Sequence, residues 1–377
     1  MNPVYLDCNA TTPLEPSVAK TMERFWLEEY GNAGSRTHGF GAQAKQAVEK
    51  ARDQVASVVH ARSDEVIFTS GATESNNLAL LGLIPHGLET GKRHVITSSI
   101  EHKAVLEPLE EMEKQGFEVT TLPCDASGRI NPADLARNLR DDTYLVSIMA
   151  SNNETGVRQP IAELAEVLAG HPAFFHSDAA QAFGKDLETL RNNRLDLISI
   201  SGHKIYGPKG IGSLIVRRRG YKRVPLKPLV FGGGQERGLR PGTLPVALIA
   251  GLGEAAAVAF RDNQERKEKC LRIREEALAA LRPLEPKFNG DLTQTMEHVL
   301  NLSLPGIDSE ALIVALKGLA AISNGSACTS SNYTPSHVLT AMGQTEDEAN
   351  EGIRISWCHL TEAVDWKGIA ERISSLR

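Results

Sequence analysis

Cysteine is scarce in this chain: five in 377 residues, at Cys8, Cys124, Cys270, Cys328 and Cys358. The number is odd and no two form a CxxC pair. A disulfide framework and zinc-finger spacing are thereby excluded, and reduced thiols in a cytoplasmic setting are expected. Long apolar runs are missing too. The most apolar window, Val246 to Phe260, contains Glu254 and is short for a membrane span, so it is expected to be a buried helix. Met1 to Asp7 lacks the basic-then-apolar pattern of a secretory leader. Basic residues are not in excess: 41 Lys and Arg against 47 Asp and Glu give a net charge of −6. That balance opposes direct nucleic-acid binding but leaves room for service to a nucleic-acid pathway through partner proteins. The eleven histidines show neither an HExxH motif nor paired ligand spacing, so no metal site is expected.

What is present is ordinary for a large globular protein: 41% hydrophobic and 23% charged residues. Strand-like runs occur at 65–69, 94–97, 143–148, 173–176, 196–200 and 211–216. Helix candidates at 43–59, 73–83, 103–115 and 161–169 lie between them. This alternation predicts a mainly parallel α/β sheet, which places ligands at the carboxyl ends of its strands. After about residue 255 the character changes, beginning with a charged amphipathic helix at 261–281. A large domain at 14–255 is therefore expected, with a smaller α+β domain formed by 1–13 and 256–377.

Three segments carry chemistry. Ser201-Gly202-His203-Lys204 follows a strand directly, so Lys204 is expected at a sheet's carboxyl end, where an amine can bond covalently to an aldehyde cofactor. Taken singly, it is also compatible with a surface lysine. Phe174-Phe175-His176-Ser177-Asp178 puts a carboxylate just past an apolar strand, where it can hold a pyridine nitrogen protonated or simply cap a helix. Gln181 follows three residues later, able to reach the cofactor's phenolate oxygen or to face solvent. Thr69-Ser70-Gly71-Ala72-Thr73-Glu74 joins a strand to a helix start through small residues, a setting that suits a phosphate.

In combination these segments resemble the cysteine desulfurases of the NifS/IscS type, in the class V aminotransferase family. The likeness runs from Tyr5-Leu6-Asp7 to about Trp357. It includes Asn9-Ala10-Thr11-Thr12-Pro13, Glu101-His102-Lys103-Ala104-Val105 and Asn152-Asn153-Glu154-Thr155-Gly156. Ser201 to Gly210, Gly232 to Gly238, Arg240-Pro241-Gly242-Thr243 and Gly325-Ser326-Ala327-Cys328-Thr329-Ser330 complete it. The resemblance implies a pyridoxal 5'-phosphate (PLP) enzyme of fold type I, like aspartate aminotransferase, with a seven-stranded sheet. It implies that sulfur passes from L-cysteine to Cys328 as a persulfide, leaving alanine, and then to an acceptor protein.

The resemblance also implies residue roles. Lys204 would bond the cofactor and act as the base, Asp178 would pair with the pyridinium, and Gln181 would meet the phenolate oxygen. His102 would stack on the ring and move protons. Ala72, Thr73, Ser201 and His203 would hold the phosphate, and Thr243 would reach the partner subunit's phosphate in a homodimer. Asn153 and Arg354 would bind substrate, the guanidinium taking the α-carboxylate bidentately. Cys328 would attack from a small, polar loop at about 323–335. Cys8, beside the N-terminal motif, stands where relatives commonly carry asparagine or tyrosine, and its role is open.

For the acceptor, two expectations compete. One is general sulfur donation to iron–sulfur assembly or tRNA thiolation, although members that load iron–sulfur scaffolds usually continue further past the position where this chain ends at Arg377. Leu6 to Thr12, Gly31 to His38, Phe231 to Gln235 and Arg354 to His359 resemble the desulfurases of DNA phosphorothioation (Dnd) systems. The partner would then be a DNA-modification protein, one bearing an iron–sulfur cluster being a candidate. An aminotransferase or a selenocysteine lyase on the same fold, and a non-enzymatic scaffold, are the rival readings.

Overall fold

The computed structural model describes residues 3–324 and 335–376. Cys328 and most of its expected loop lie outside the described residues. Among the described residues twelve strands occur in chain order: β1 (Val4–Tyr5), β2 (Val66–Thr69), β3 (His94–Ser98), β4 (Glu118–Leu122), β5 (Thr143–Ser147), β6 (Phe174–Asp178), β7 (Leu197–Ser201), β8 (Gly212–Val216), β9 (Lys287–Phe288), β10 (Val299–Ser303), β11 (Ala320–Ala321) and β12 (Gly352–Ser356).

Seven of them form the main sheet in the order β2-β8-β7-β6-β5-β3-β4. Only β8 runs antiparallel to its neighbours, so the expected mainly parallel α/β sheet is found. The inner strands are buried on both faces, which is why they read as continuous apolar runs. β4 is one of the two edge strands, and its Glu-Val-Thr-Thr-Leu sequence is too polar to stand out as a strand.

The expected strand at 173–176 extends to Asp178, so that carboxylate ends β6 instead of lying beyond it. The helix at Pro16–Leu27 also escaped the sequence reading. It packs with Gly39–Val58 against Val246–Arg261, the apolar window that lacked the length for a membrane span. Gly253 permits the close approach: a Cβ there would fall 2.6 Å from the Ala51 Cα. Among the described residues no helix is long and apolar enough to cross a membrane.

A second core contains Leu6, Cys270, Ile273, Leu300, Ile353, Trp357 and Trp366. It surrounds the antiparallel β12-β10-β9 sheet and the small parallel pair β1-β11. Thus the N-terminus folds with the last third of the chain. The long helix runs Asn263–Leu281, and the Trp357 indole donates to the Cys270 carbonyl at 2.9 Å.

Candidate active site

The carboxyl ends of β2, β6 and β7 open onto a cavity of about 420 Å³. A short 3-10 turn, Gly202–Lys204, follows β7 and delivers Lys204 into it. The Lys204 ammonium donates to the carbonyls of Asn9 and Ala10 at 2.5 and 2.9 Å. The N-terminal segment is fixed there in turn: the Thr12 amide and hydroxyl donate to the His203 carbonyl at 3.0 and 2.9 Å.

Asp178 is buried at the end of β6. Its Oδ2 accepts from the Asn76 amide at 2.7 Å, and its Oδ1 accepts from the Ala180 N–H at 2.9 Å. The cofactor and turn-capping readings of Asp178 are therefore compatible in one side chain. Beneath it, His176 links three strands, with Nδ1 2.8 Å from Ser147 Oγ and Nε2 3.0 Å from Ser199 Oγ. Burial pulls this imidazole down to about 4, so it is neutral packing.

Gln181 is buried rather than solvent-facing, and its Nε2 donates to the Asn9 carbonyl at 2.9 Å. His102 is the N-cap of the Lys103–Lys114 helix. Its Nδ1 accepts from the Ala104 N–H at 3.0 Å, which leaves Nε2 to carry the proton of the neutral ring. The preceding Glu101 is fully buried and is pushed up to about 8 by desolvation, although Ser98 Oγ and the Met149 amide donate to its Oε1 at 2.5 and 2.9 Å.

The phosphate-suited end begins at Gly71, the N-cap of the Ala72–Leu81 helix. Ser70, Gly71, Ala72, Thr73, Ser201 and His203 all line this cavity. Gly212 keeps the neighbouring strand close, since a Cβ there would lie 2.6 Å from the Gly71 Cα. Glu74 accepts from the Ser70 N–H at 2.6 Å and from Arg240 Nε at 2.9 Å, and these bonds hold its carboxyl below the usual range. Burial and the nearby Lys204 and Lys209 pull His203 down to about 4.

At the opposite end, Arg354 on β12 is almost fully buried. One of its nitrogens donates to the Asn153 carbonyl at 3.0 Å and another pairs with Asp7 Oδ1 at 2.7 Å. The Arg354 and Ser323 backbones form an antiparallel bridge, and Ser336 donates to Glu154 Oε2 at a short distance of 2.5 Å. The segment at 325–334 is thus bounded by one residue paired with Arg354 and another bonded to the neighbour of Asn153.

The structure brings Lys204, Asp178, Gln181, His102, Ala72, Thr73, Ser201, His203, Asn153 and Arg354 around one cavity. Thr243 is the exception. It is exposed and lines a separate recess with Asn32, Lys45 and Arg237. Sequence reasoning missed Asn9, Asn76, Lys209 and Asp7. Asn76 lies two residues past the Thr69–Glu74 motif, one turn beyond Ala72, and that spacing was the available signal.

A PLP-sized ligand fits this lining. Gln181 Oε1, Asn9 Oδ1 and Asn76 Oδ1 are buried without a hydrogen-bond partner among the described residues. Such orphaned acceptors call for a polar ligand. Lys204 would bond the aldehyde, Asp178 would hold the pyridinium, and the Gly71–Thr73 helix start would take the phosphate. Among the described residues no group of three or more His, Cys, Asp or Glu could hold a metal.

A strand-end lysine facing a buried strand-end aspartate, in this sheet order, defines a PLP-dependent enzyme of fold type I. The chain belongs to the class-V aminotransferase family, whose model matches residues 4–366. It is 45% identical to the cysteine desulfurase IscS of Dechloromonas aromatica, over 100% of this chain and 93% of that one. The structure of DndA from Streptomyces lividans is 50% identical, with a TM-score of 0.83, covering 93% of this chain and 98% of that one. The structure of SspA in complex with cysteine is 37% identical, with a TM-score of 0.82, covering 95% of this chain and 100% of that one. The protein is a PLP-dependent cysteine desulfurase.

Proposed function

We propose that this desulfurase loads sulfur from L-cysteine onto Cys328 and passes it to a DNA-modification protein in the cytoplasm. The observation that carries the chemical part is the pairing of Lys204 and Asp178 in one cavity with Arg354 at its far end. Bound PLP supplies the electron sink that makes the substrate Cα–H acidic and the C–S bond labile. Arg354 and Asn153 orient the amino acid by its carboxylate. Lys204, once released from the Asn9 and Ala10 carbonyls, takes the Cα proton. His102, with its proton on Nε2, donates toward the cofactor face. The Cys328 thiolate attacks the substrate sulfur: an S–S bond forms, the C–S bond breaks, and alanine leaves after protonation.

The 14–255 unit would hold the cofactor, while 1–13 and 256–377 would bring Arg354 and Cys328. A homodimer is part of this reading, with Thr243 reaching the partner's phosphate. In its support, Thr243 is exposed and outside the Lys204 cavity, and Trp26, Tyr30, Phe40, Val230 and Phe231 are exposed apolar side chains.

The DNA-modification acceptor is favoured by the N-terminal and Gly31–His38 motifs and by the likeness to DndA. The 45% identity to an IscS favours the second reading, general sulfur donation to iron–sulfur assembly or tRNA thiolation. Cys328→Ala protein should bind PLP and release no sulfur from L-cysteine. Labelled Cys328 persulfide should move to a DNA-modification partner faster than to an iron–sulfur scaffold, and the reverse order would establish the second reading.

A further inference from the structure

Cys8 has no part in the chemistry above, yet it lies between two residues that do. Asp7 pairs with Arg354, and the Asn9 carbonyl accepts from Lys204 and Gln181. The same segment runs beside the end of β12. Asp7 and Ser356 form a parallel bridge, the Cys8 amide donates to the Ser356 carbonyl at 3.1 Å, and the Asn9 amide donates to Ser356 Oγ at 2.9 Å. Cys8 and Cys358 are packed with Tyr206 in a small cluster of their own.

Both thiols are 1% exposed, and neither is in a disulfide. Cys8 and Cys358 share that packed cluster, and the Thr361 hydroxyl donates to the Cys358 sulfur at 3.6 Å. The proximity of Cys8 and the Thr361 donor pull the Cys358 thiol down, while Cys358 and burial push Cys8 up. Lys185 is partly buried nearby and lowered to about 8 by desolvation, with Nζ 3.1 Å from His298 Nε2. A recess of about 30 Å³ lined by Lys185, Tyr206, Cys270 and His298 adjoins the cluster at Tyr206. That is room for about one small molecule the size of water.

We propose that Cys8 and Cys358 are a redox-modification site, which a hydroperoxide converts to a disulfide that clamps the Asp7–Ala10 segment to the end of β12. The Cys358 thiolate attacks one peroxide oxygen, the O–O bond breaks, and hydroxide leaves with Cys358 as a sulfenic acid. The Cys8 sulfur then attacks the Cys358 sulfur; the S–O bond breaks, the S–S bond forms, and the Cys8 proton leaves with the departing hydroxide as water. The pair loses two electrons and hydrogen peroxide is reduced to two waters. Because Asp7 and Asn9 touch Arg354, Lys204 and Gln181, the clamp weakens substrate engagement at the active site.

The experiment uses full-length, PLP-loaded Cys328→Ala protein, so that the active-site thiol does not react. After hydrogen peroxide and alkylation, non-reducing peptide mass spectrometry should show a Cys8–Cys358 cross-link. The Kd for L-cysteine, read from the cofactor absorbance, should rise at least about fivefold, the low end of ordinary coupling between sites. Dithiothreitol should reverse both changes, and neither should occur with C8S or C358S added. Alkylation of both thiols after peroxide, a cross-link to Cys270 instead, or an affinity change that persists in both serine variants would overturn the proposal. The cross-link is read without turnover, so its failure is distinguishable from failure of the desulfurase assignment.

Discussion

The two ends of the active-site cavity are built by different means. At the cofactor end, the polar groups stand where a strand of one sheet turns into a helix or a 3-10 turn: Asp178 ends β6, Lys204 follows β7, and Ala72 and Thr73 follow β2. At the substrate end, Asp7, Asn153 and Arg354 come from three segments remote in sequence, and the Asp7–Arg354 bond spans 347 positions. The first end is a property of a sheet, and the second is a property of how the N-terminus and the last third of the chain close over it. Damage at the first should abolish cofactor chemistry, whereas damage at the second should mainly alter how the substrate is held.

The largest effect is expected at Lys204. Lys204→Ala should lose the absorbance band at about 400 nm that marks the lysine-linked cofactor. Its kcat should fall by at least about 10³-fold, since base and attachment point go together. Retention of both band and rate would end the assignment of the cofactor end. Next comes Arg354→Lys, which keeps the charge but forfeits the planar fork. It should raise KM for L-cysteine on the order of tenfold or more while leaving the cofactor band in place, and a lost band would merge the two ends into one unit.

Asn76→Ala sharpens the comparison within the cofactor end. It removes the 2.7 Å bond to Asp178, and cofactor affinity should drop on the order of tenfold, as for an outer-shell partner. Equilibrium dialysis of PLP checks this, with Asn76→Asp a harsher change because two carboxylates would then meet.

The smallest effect concerns pH. Glu101 is raised from 4.5 to about 8, so the folded protein binds more protons than the unfolded chain between those values. Stability contributed by the neutral acid is therefore full below about 4.5 and falls as pH rises toward 8. Glu101→Gln should flatten that decline, visible as a weaker pH dependence of the urea midpoint.

Legibility followed the same division. Lys204 and Asp178 could be picked out because a strand end followed by a turn is a local pattern, and the sheet rule then says where ligands go. Asn76 hid inside a helix start whose small residues drew the attention. Asp7 and Asn9 could not be read from neighbours, because their contacts exist only after β12 and the Lys204 turn have closed on them. Arg354 in isolation was one arginine in a strand, and Cys328 one cysteine among polar residues; only the family resemblance singled them out. The edge strand β4 failed for a simpler reason, since an edge tolerates polar side chains that a central strand would exclude.

The bridge between Ser323 and Arg354 has a geometric consequence for sulfur delivery. Cys328 is four residues beyond Asn324 in the chain. At roughly 3.5 Å per fully extended residue, its Cα can travel no further than about 14 Å from that of Asn324. On the proposed reading, sulfur carried by Cys328 would have to be collected within that distance of Asn324. A receiving protein would then have to bring its acceptor group to the Arg354 end of the cavity, and the surface around β12 would act as a filter on which proteins can collect.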